Sequence, residues 1–152
     1  MNIKSRLTVL SFLQFFVWGA WLISLGGYMF AAFNNPVDPN LGSKVGNTYG
    51  TMGWAALFMP AIMGILADKY IRAEIVLGIS HIIAGAGLYY ASTVTTADEM
   101  FWAIFFVSCF YMPTIGLSNS VSYSLLSKHQ FETLVVDEYG HFEGIITFGD
   151  VL

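Results

Sequence analysis

The sequence predicts an all-α membrane protein with four transmembrane helices, on the strength of its apolar mass, the spacing of its charges and its short polar connections. Of 152 residues, 56% are hydrophobic and only 11% are charged, and the mean hydropathy is +0.64. A soluble domain carries about 25% charged residues. This chain therefore has too little polar surface to cover a water-soluble globule, and its apolar surface is expected to face lipid.

Lipid offers the backbone no hydrogen-bond partners, so a spanning segment must be a helix of about 20 apolar residues or a strand of a closed barrel. Four uncharged stretches have helical length: residues 7–33, 45–67, 75–97 and 100–127. None alternates as a barrel strand would. The first follows Lys4 and Arg6, as the apolar run of a signal peptide follows its basic start, but it is far longer than the roughly 7–15 apolar residues of such a segment and is read as a retained span. Between the first two spans, Asn35-Pro36 and Asp38-Pro39 are helix-ending pairs. Residues 68–74 form a tight charged loop, and Asp98 and Glu99 separate the last two spans.

Up to Ser127 the charges balance: Lys4, Arg6, Lys44, Lys69 and Arg72 against Asp38, Asp68, Glu74, Asp98 and Glu99. The formal net charge of −4 arises after that point, where Lys128 faces Glu132, Asp137, Glu138, Glu143 and Asp150. Lys4, Arg6, Lys69, Arg72 and Lys128 flank one side of the predicted bilayer, and only Lys44 flanks the other. By the positive-inside rule, the N-terminus and the end of the fourth span are expected in the cytoplasm.

Polar residues mark two of the spans. In the first, Ser11, Gln14, Trp18, Trp21 and Tyr28 recur at helical steps along one side. In the fourth, Thr114, Ser118, Asn119, Ser120, Ser122, Tyr123 and Ser124 cluster near the cytoplasmic end. An unpaired amide in hydrocarbon is costly, so these helices are expected either to line a watery interior or to hydrogen-bond one another. The third span is rich in small residues (Gly78, Ser80, Ala84, Gly85, Ala86, Gly87) suited to close packing. Its His81 is read as an ordinary hydrogen-bonded histidine, with a proton-coupled role as the alternative. Pro60 and Pro113 each remove a backbone donor inside a span, and Cys109, the single cysteine, reads as a buried thiol.

Several of these stretches resemble a known family. Gly64-Ile65-Leu66-Ala67-Asp68-Lys69 is similar to the loop signature of the major facilitator superfamily. Leu10-Ser11-Phe12-Leu13-Gln14-Phe15 with Val17-Trp18-Gly19-Ala20-Trp21-Leu22 resembles the first helix of its bacterial nucleoside:proton symporters. Phe58-Met59-Pro60-Ala61 and Tyr111-Met112-Pro113-Thr114, leading to Leu117 and Asn119, extend that resemblance over residues 1–126. It implies a partial major facilitator fold, the first four of twelve helices, and proton-driven nucleoside uptake across the bacterial inner membrane. The partners so implied are nucleosides, protons and the lipid bilayer, without nucleic acid. In that fold the first and fourth helices line the central cavity, so Gln14, Trp18, Asn119 and Tyr123 become the cavity candidates, with Gly64, Asp68 and Lys69 as a conformational latch. A chain of four spans is expected to be inactive alone, because the family's remaining helices supply most substrate contacts.

Residues 128–152 read differently, as a short β-β-α-start cytoplasmic tail. The run from Val135 to Leu152 resembles part of a cystathionine-β-synthase-type (CBS) regulatory domain, in which Thr147 and Asp150 would match a nucleotide-contacting pair. Two strands and a helix stub bury too little to fold alone. The alternative function is accordingly a membrane-anchored regulatory protein with an adenine-nucleotide-sensing tail, and a third reading is a small four-helix oligomer. No metal-ligand cluster, nucleophile–base pair or phosphate loop is legible, so neither an enzyme nor a cofactor is expected.

Overall fold

The computed structural model describes residues 2–34 and 37–133, which form four helices: α1 (Ile3–Phe33), α2 (Leu41–Lys69), α3 (Ala73–Ala91) and α4 (Ala97–Thr133). All four are long and apolar enough to cross a membrane. No strand occurs among the described residues, and the predicted β-β-α tail, with Thr147 and Asp150, lies outside them.

The helix ends differ from expectation where local chemistry overrides hydropathy. The third span was expected to reach residue 97, yet α3 stops at Ala91. There the Ser92 and Thr93 hydroxyls donate to the carbonyls of Tyr89 and Tyr90 at 2.7 and 2.8 Å, closing the last turn with side chains. The fourth span was expected to begin at Met100, after two acidic residues, yet α4 begins at Ala97. Thr96 and Glu99 form a capping box: the Glu99 N–H donates to Thr96 Oγ1 at 3.2 Å, and the Thr96 N–H donates to Glu99 Oε2 at 3.2 Å. Charge had been read as a break in the helix; here it starts one. At its other end α4 continues past Ser127 to Thr133.

Connections are tight. Asp38-Pro39-Asn40-Leu41 is a turn closed by Leu41 N–H donating to the Asp38 carbonyl at 3.1 Å, and the Asp38 carboxylate accepts from the Asn40 N–H at 2.9 Å. Asp68 and Lys69 belong to the last turn of α2 rather than to a loop, and Tyr70–Arg72 alone connect to α3.

Packing is centred on α4. Over its most apolar stretch 56% of residues are buried, against 11% for α1. One apolar cluster joins Leu25 and Met29 of α1, Val45 and Met52 of α2, Ala84 of α3, and Ile104, Val107 and Tyr111 of α4. A smaller one at the opposite end joins Met63, Val76, Leu77, Leu117 and Val121. The α3–α4 contact depends on Gly87: a Cβ there would lie 2.8 Å from Val107 Cγ2 and 3.2 Å from the Phe106 ring. The small-residue reading of the third span thus has a specific point of contact.

At one end of the bundle, Lys44 Nζ lies 3.2 Å from Asp38 and 3.2 Å from Asp98, tying together the two loops of that end. The Asn40 backbone N–H and the Lys44 ammonium hold the Asp38 carboxyl below its ordinary value.

Candidate functional site

On α1, Gln14, Trp18, Trp21, Leu25 and Met29 follow one another at three- and four-residue steps and form a single stripe turned toward α4. α1 and α4 run antiparallel, and Tyr111 of α4 spans the stripe. Its hydroxyl donates to the Gln14 carbonyl at 2.5 Å, and its ring meets that of Trp21 edge-on at 6.3 Å. Gln14 is only 3% exposed. Its Nε2 donates to Thr114 Oγ1 at 2.8 Å, while the Thr114 hydroxyl donates to the Tyr111 carbonyl at 2.6 Å. Because the Thr114 proton is committed to that carbonyl, its oxygen can only accept from Gln14. The amide orientation follows, and Gln14 Oε1 is left as an acceptor.

Buried polar groups nearly always have partners, and each exception calls for an account. Among the described residues, four buried side-chain atoms have none: Gln14 Oε1, Trp18 Nε1, Trp21 Nε1 and Ser108 Oγ. Three of the four belong to the α1 stripe. The fourth, on α4, is fully buried and lies one turn from Tyr111.

The polar stripe predicted on α4 divides in two. Thr114, Ser118 and Ser122 turn inward or sideways and donate to carbonyls three or four residues back in their own helix. Asn119 and Tyr123 are exposed, Tyr123 at 74%, and the structure does not bring them together with Gln14 and Trp18. Gln14 and Trp18 are the pair of cavity candidates that it does unite. Sequence reasoning missed Ser108 and Tyr111. The recurrence of 108, 111, 114 and 118 at three- and four-residue steps was the available signal, masked by the apolar residues around them.

Of the latch residues, Gly64 lies mid-turn in α2, and Asp68 and Lys69 are exposed at its end. Among the described residues the Asp68 carboxylate makes no hydrogen bond. His81 sits edge-on to Tyr111 at 5.9 Å, and its Nδ1 is 2.9 Å from the Leu77 carbonyl. Since a carbonyl only accepts, Nδ1 is the protonated nitrogen, in line with the hydrogen-bonded reading. Cys109 is partly buried.

The polar seam lies between two clefts. Toward the N-terminal end, a cleft of about 860 Å³ opens between α1 and α4, lined by Thr8, Ser11, Phe12, Phe15 and Ser122 among others. Toward the other end, one of about 250 Å³ is lined by Trp21, Ser24, Tyr28, Ser92 and Met100. Trp21 thus faces both the seam and the second cleft.

The sequence model of the nucleoside H+ symporter family matches residues 1–151. The chain belongs to that family. It is 43% identical over 151 residues to the xanthosine permease of Escherichia coli (strain K12), covering 99% of this chain and 34% of the permease. It is 46% identical over 128 residues to the nucleoside permease NupG of the same strain, covering 84% of this chain and 29% of NupG. A crystal structure of the nucleoside transporter NupG superimposes with a TM-score of 0.78 at 45% identity, over 86% of this chain and 31% of that one. The chain therefore spans about a third of the length of the curated relatives it matches, at their N-terminal end. The family match also runs across residues 128–151, and so over nearly all of the run from Val135 to Leu152 that resembles a CBS segment. The superposition on NupG agrees with the major facilitator fold expected from the sequence, and the four apolar helices with a membrane protein.

Proposed function

We propose that this chain forms the N-terminal four-helix part of a proton-coupled nucleoside carrier of the bacterial inner membrane. The observation that carries this reading is the buried polar seam between α1 and α4, set between two clefts, in a member of the symporter family. The role is that of a carrier and not a catalyst, and its partners are nucleosides, protons and lipid, with no nucleic acid. A nucleoside has a flat base for stacking on Trp18 and ribose hydroxyls for the amides of Gln14 and Asn119, with Tyr123 at the rim.

The end that carries Lys4, Arg6, Lys69, Arg72 and Lys128 faces the cytoplasm, and the Lys44 end faces away from it. Gly64, Asp68 and Lys69 act at the cytoplasmic end as a latch between conformations. Asp68 is free to accept hydrogen bonds from a helix N-terminus, whose dipole favours a negative partner.

Uptake of radiolabelled uridine and xanthosine by proteoliposomes, with and without an inward proton gradient, tests this reading for the chain alone and for a full-length carrier of the family with Trp18 and Asn119 at the matching positions. Gradient-dependent uptake abolished by a protonophore is expected of the full-length carrier and not of the four-helix chain alone, and Trp18→Ala or Asn119→Ala at those positions is expected to weaken it. Uptake unchanged in both variants at normal expression would remove those residues from the site, and saturable gradient-driven uptake by the four-helix chain alone would overturn its reading as one part of a larger carrier.

A further inference from the structure

We infer that the charge state of His81 is passed to α1 through Tyr111, so that a proton taken up on α3 changes how α1 sits on α4. Histidine is the side chain whose charge changes between about pH 5 and pH 8, and His81 is the only one within the apolar stretches of the four helices. It stands two turns into α3, about 12 Å from the first residue of that helix, beside the buried face formed by Leu77, Ser80, Ala84 and Gly87. Its Nδ1–H donates to the Leu77 carbonyl at 2.9 Å, so Nε2 carries the lone pair that a proton would join. Among the described residues Nε2 makes no hydrogen bond, and it is not one of the four enclosed unpartnered atoms. A proton can therefore reach it from outside the packed interior.

A proton placed there meets no carboxylate. The charged side chains of α1, α2 and α3 lie in their terminal turns, and α4 has none between Met100 and Ser127. On α3 itself the nearest acid is Glu74, seven residues back and paired with Arg72 at 3.5 Å. Toward the same end, α2 carries Asp68 and Lys69, α4 carries Lys128, and α1 carries Lys4 and Arg6. The titratable group that α4 brings against the imidazole is Tyr111, with ring centroids 5.9 Å apart and planes at 73°. Cys109, on the same helix, lines the cleft toward α2 instead.

Tyr111 is where the added charge is felt. It is 1% exposed and held by three neighbours: the His81 ring, the Trp21 ring at 6.3 Å, and the Gln14 carbonyl that accepts from its hydroxyl. Both rings meet it edge-on, an arrangement governed by ring quadrupoles and so sensitive to charge. An uncompensated charge inside a span is costly. The protonated imidazole accordingly turns toward water and headgroups at the Arg72 end of α3 and gives up its contact with the phenol. Tyr111 then loses its support on α3 while keeping its two ties to α1, and Trp21 and Gln14 shift with it. In a proton-driven carrier this would let pH set the fit of α1 on α4; that use rests on the carrier reading above, whereas the coupling does not.

The test uses the whole chain in phosphatidylcholine nanodiscs, with ¹⁵N-histidine to follow the His81 ring and fluorotryptophan to follow Trp21 by ¹⁹F NMR. Trp54, on α2 and 64% exposed, is the internal control. Between about pH 8 and pH 5 the Trp21 resonance is expected to shift with the midpoint of the His81 ring, while that of Trp54 stays in place. His81→Gln, whose amide can still donate to the Leu77 carbonyl, is expected to abolish the Trp21 shift. Tyr111→Leu is expected to abolish it and leave the His81 titration standing. A His81 ring that does not titrate in this window would overturn the coupling, as would a Trp21 resonance that stays still while His81 titrates. A Trp21 shift that persists in either variant, with Trp54 unmoved, would overturn it too. Co-titration in the parent chain decides the case even where a variant fails to fold.

Discussion

The hydroxyl of Tyr49 on α2 serves two backbone groups of one turn of α1: it accepts from the Gly26 N–H at 2.9 Å and donates to the Leu22 carbonyl at 2.8 Å. Leu22 and Gly26 stand four residues apart, the donor and acceptor that a regular helix pairs with each other. A side chain inserted in that ladder is a recognised cause of helix bending. Gly26 permits the approach, since a Cβ there would lie 3.1 Å from the Tyr49 oxygen. Tyr49→Phe is expected to lower stability by about 1 kcal/mol, the usual net worth of a hydrogen bond. Denaturant titration in mixed micelles measures it, and a variant as stable as the parent would show that the α1 turn closes on itself at no cost.

Removing one partner of a buried pair costs more than removing the group that needs it. Thr114→Val deprives the Gln14 amide of its acceptor and is expected to destabilise by about 1–3 kcal/mol. Gln14→Leu removes the amide and its unpartnered oxygen together, and is expected to cost less. The same titration compares the two, and the reverse order would contradict the hydrogen-bond assignment.

Much of this arrangement was legible before any coordinates. Long charge-free segments gave the four helices, because hydrocarbon leaves the backbone no other solution, and the stripe holding Gln14 and Trp18 gave the inward face of α1. Helix ends were less legible. Ser92 and Thr93 close α3 by side-chain bonds, and Glu99 starts α4 as a cap, whereas hydropathy reads only how well a residue dissolves in lipid. The seam on α4 was half legible: Asn119 and Tyr123 drew attention by polarity, while Ser108 and Tyr111 sit among apolar neighbours. Which polar residue faces which helix depends on register, and register is set by contacts such as Gly87 against Val107 that one span alone does not reveal.

Gly87→Ala places a methyl carbon where Val107 Cγ2 now lies 2.8 Å away. Overpacking of this kind costs about 1–3 kcal/mol. Val107→Ala in the same chain opens the space again, so the double variant is expected to recover part of the loss. Two single losses that simply add would mean that the residues are not in contact, and thermal unfolding in detergent decides between the cases.

The loop contact made by Lys44 depends on charge. The Asp38 carboxyl is held below its ordinary value, so its contribution is whole above the unfolded carboxylate value of about 3.9 and is lost as pH falls through the lower folded value. Amide exchange at Asn40 and Leu41 is therefore expected to show no loss of protection between pH 8 and pH 5 beyond the intrinsic change in exchange rate, and a loss of protection below that window. Lys44→Met is expected to reduce protection between pH 8 and pH 5, where the carboxylates are ionised, and added salt to act in the same direction there. Protection that survives Lys44→Met would leave the Asp38–Leu41 turn as the whole of the loop's rigidity.

Asp98 and Glu99 are adjacent carboxylates with opposite allegiances: the first reaches across to Lys44, the second folds back on Thr95 and Thr96. A step of one residue along a helix rotates a side chain by about 100°, enough to exchange their directions. Lengthening this segment by a single amino acid just before Asp98 would therefore set the cap and the inter-loop tie in competition for the same position. The connection between α3 and α4 is thus fixed in length as well as in charge.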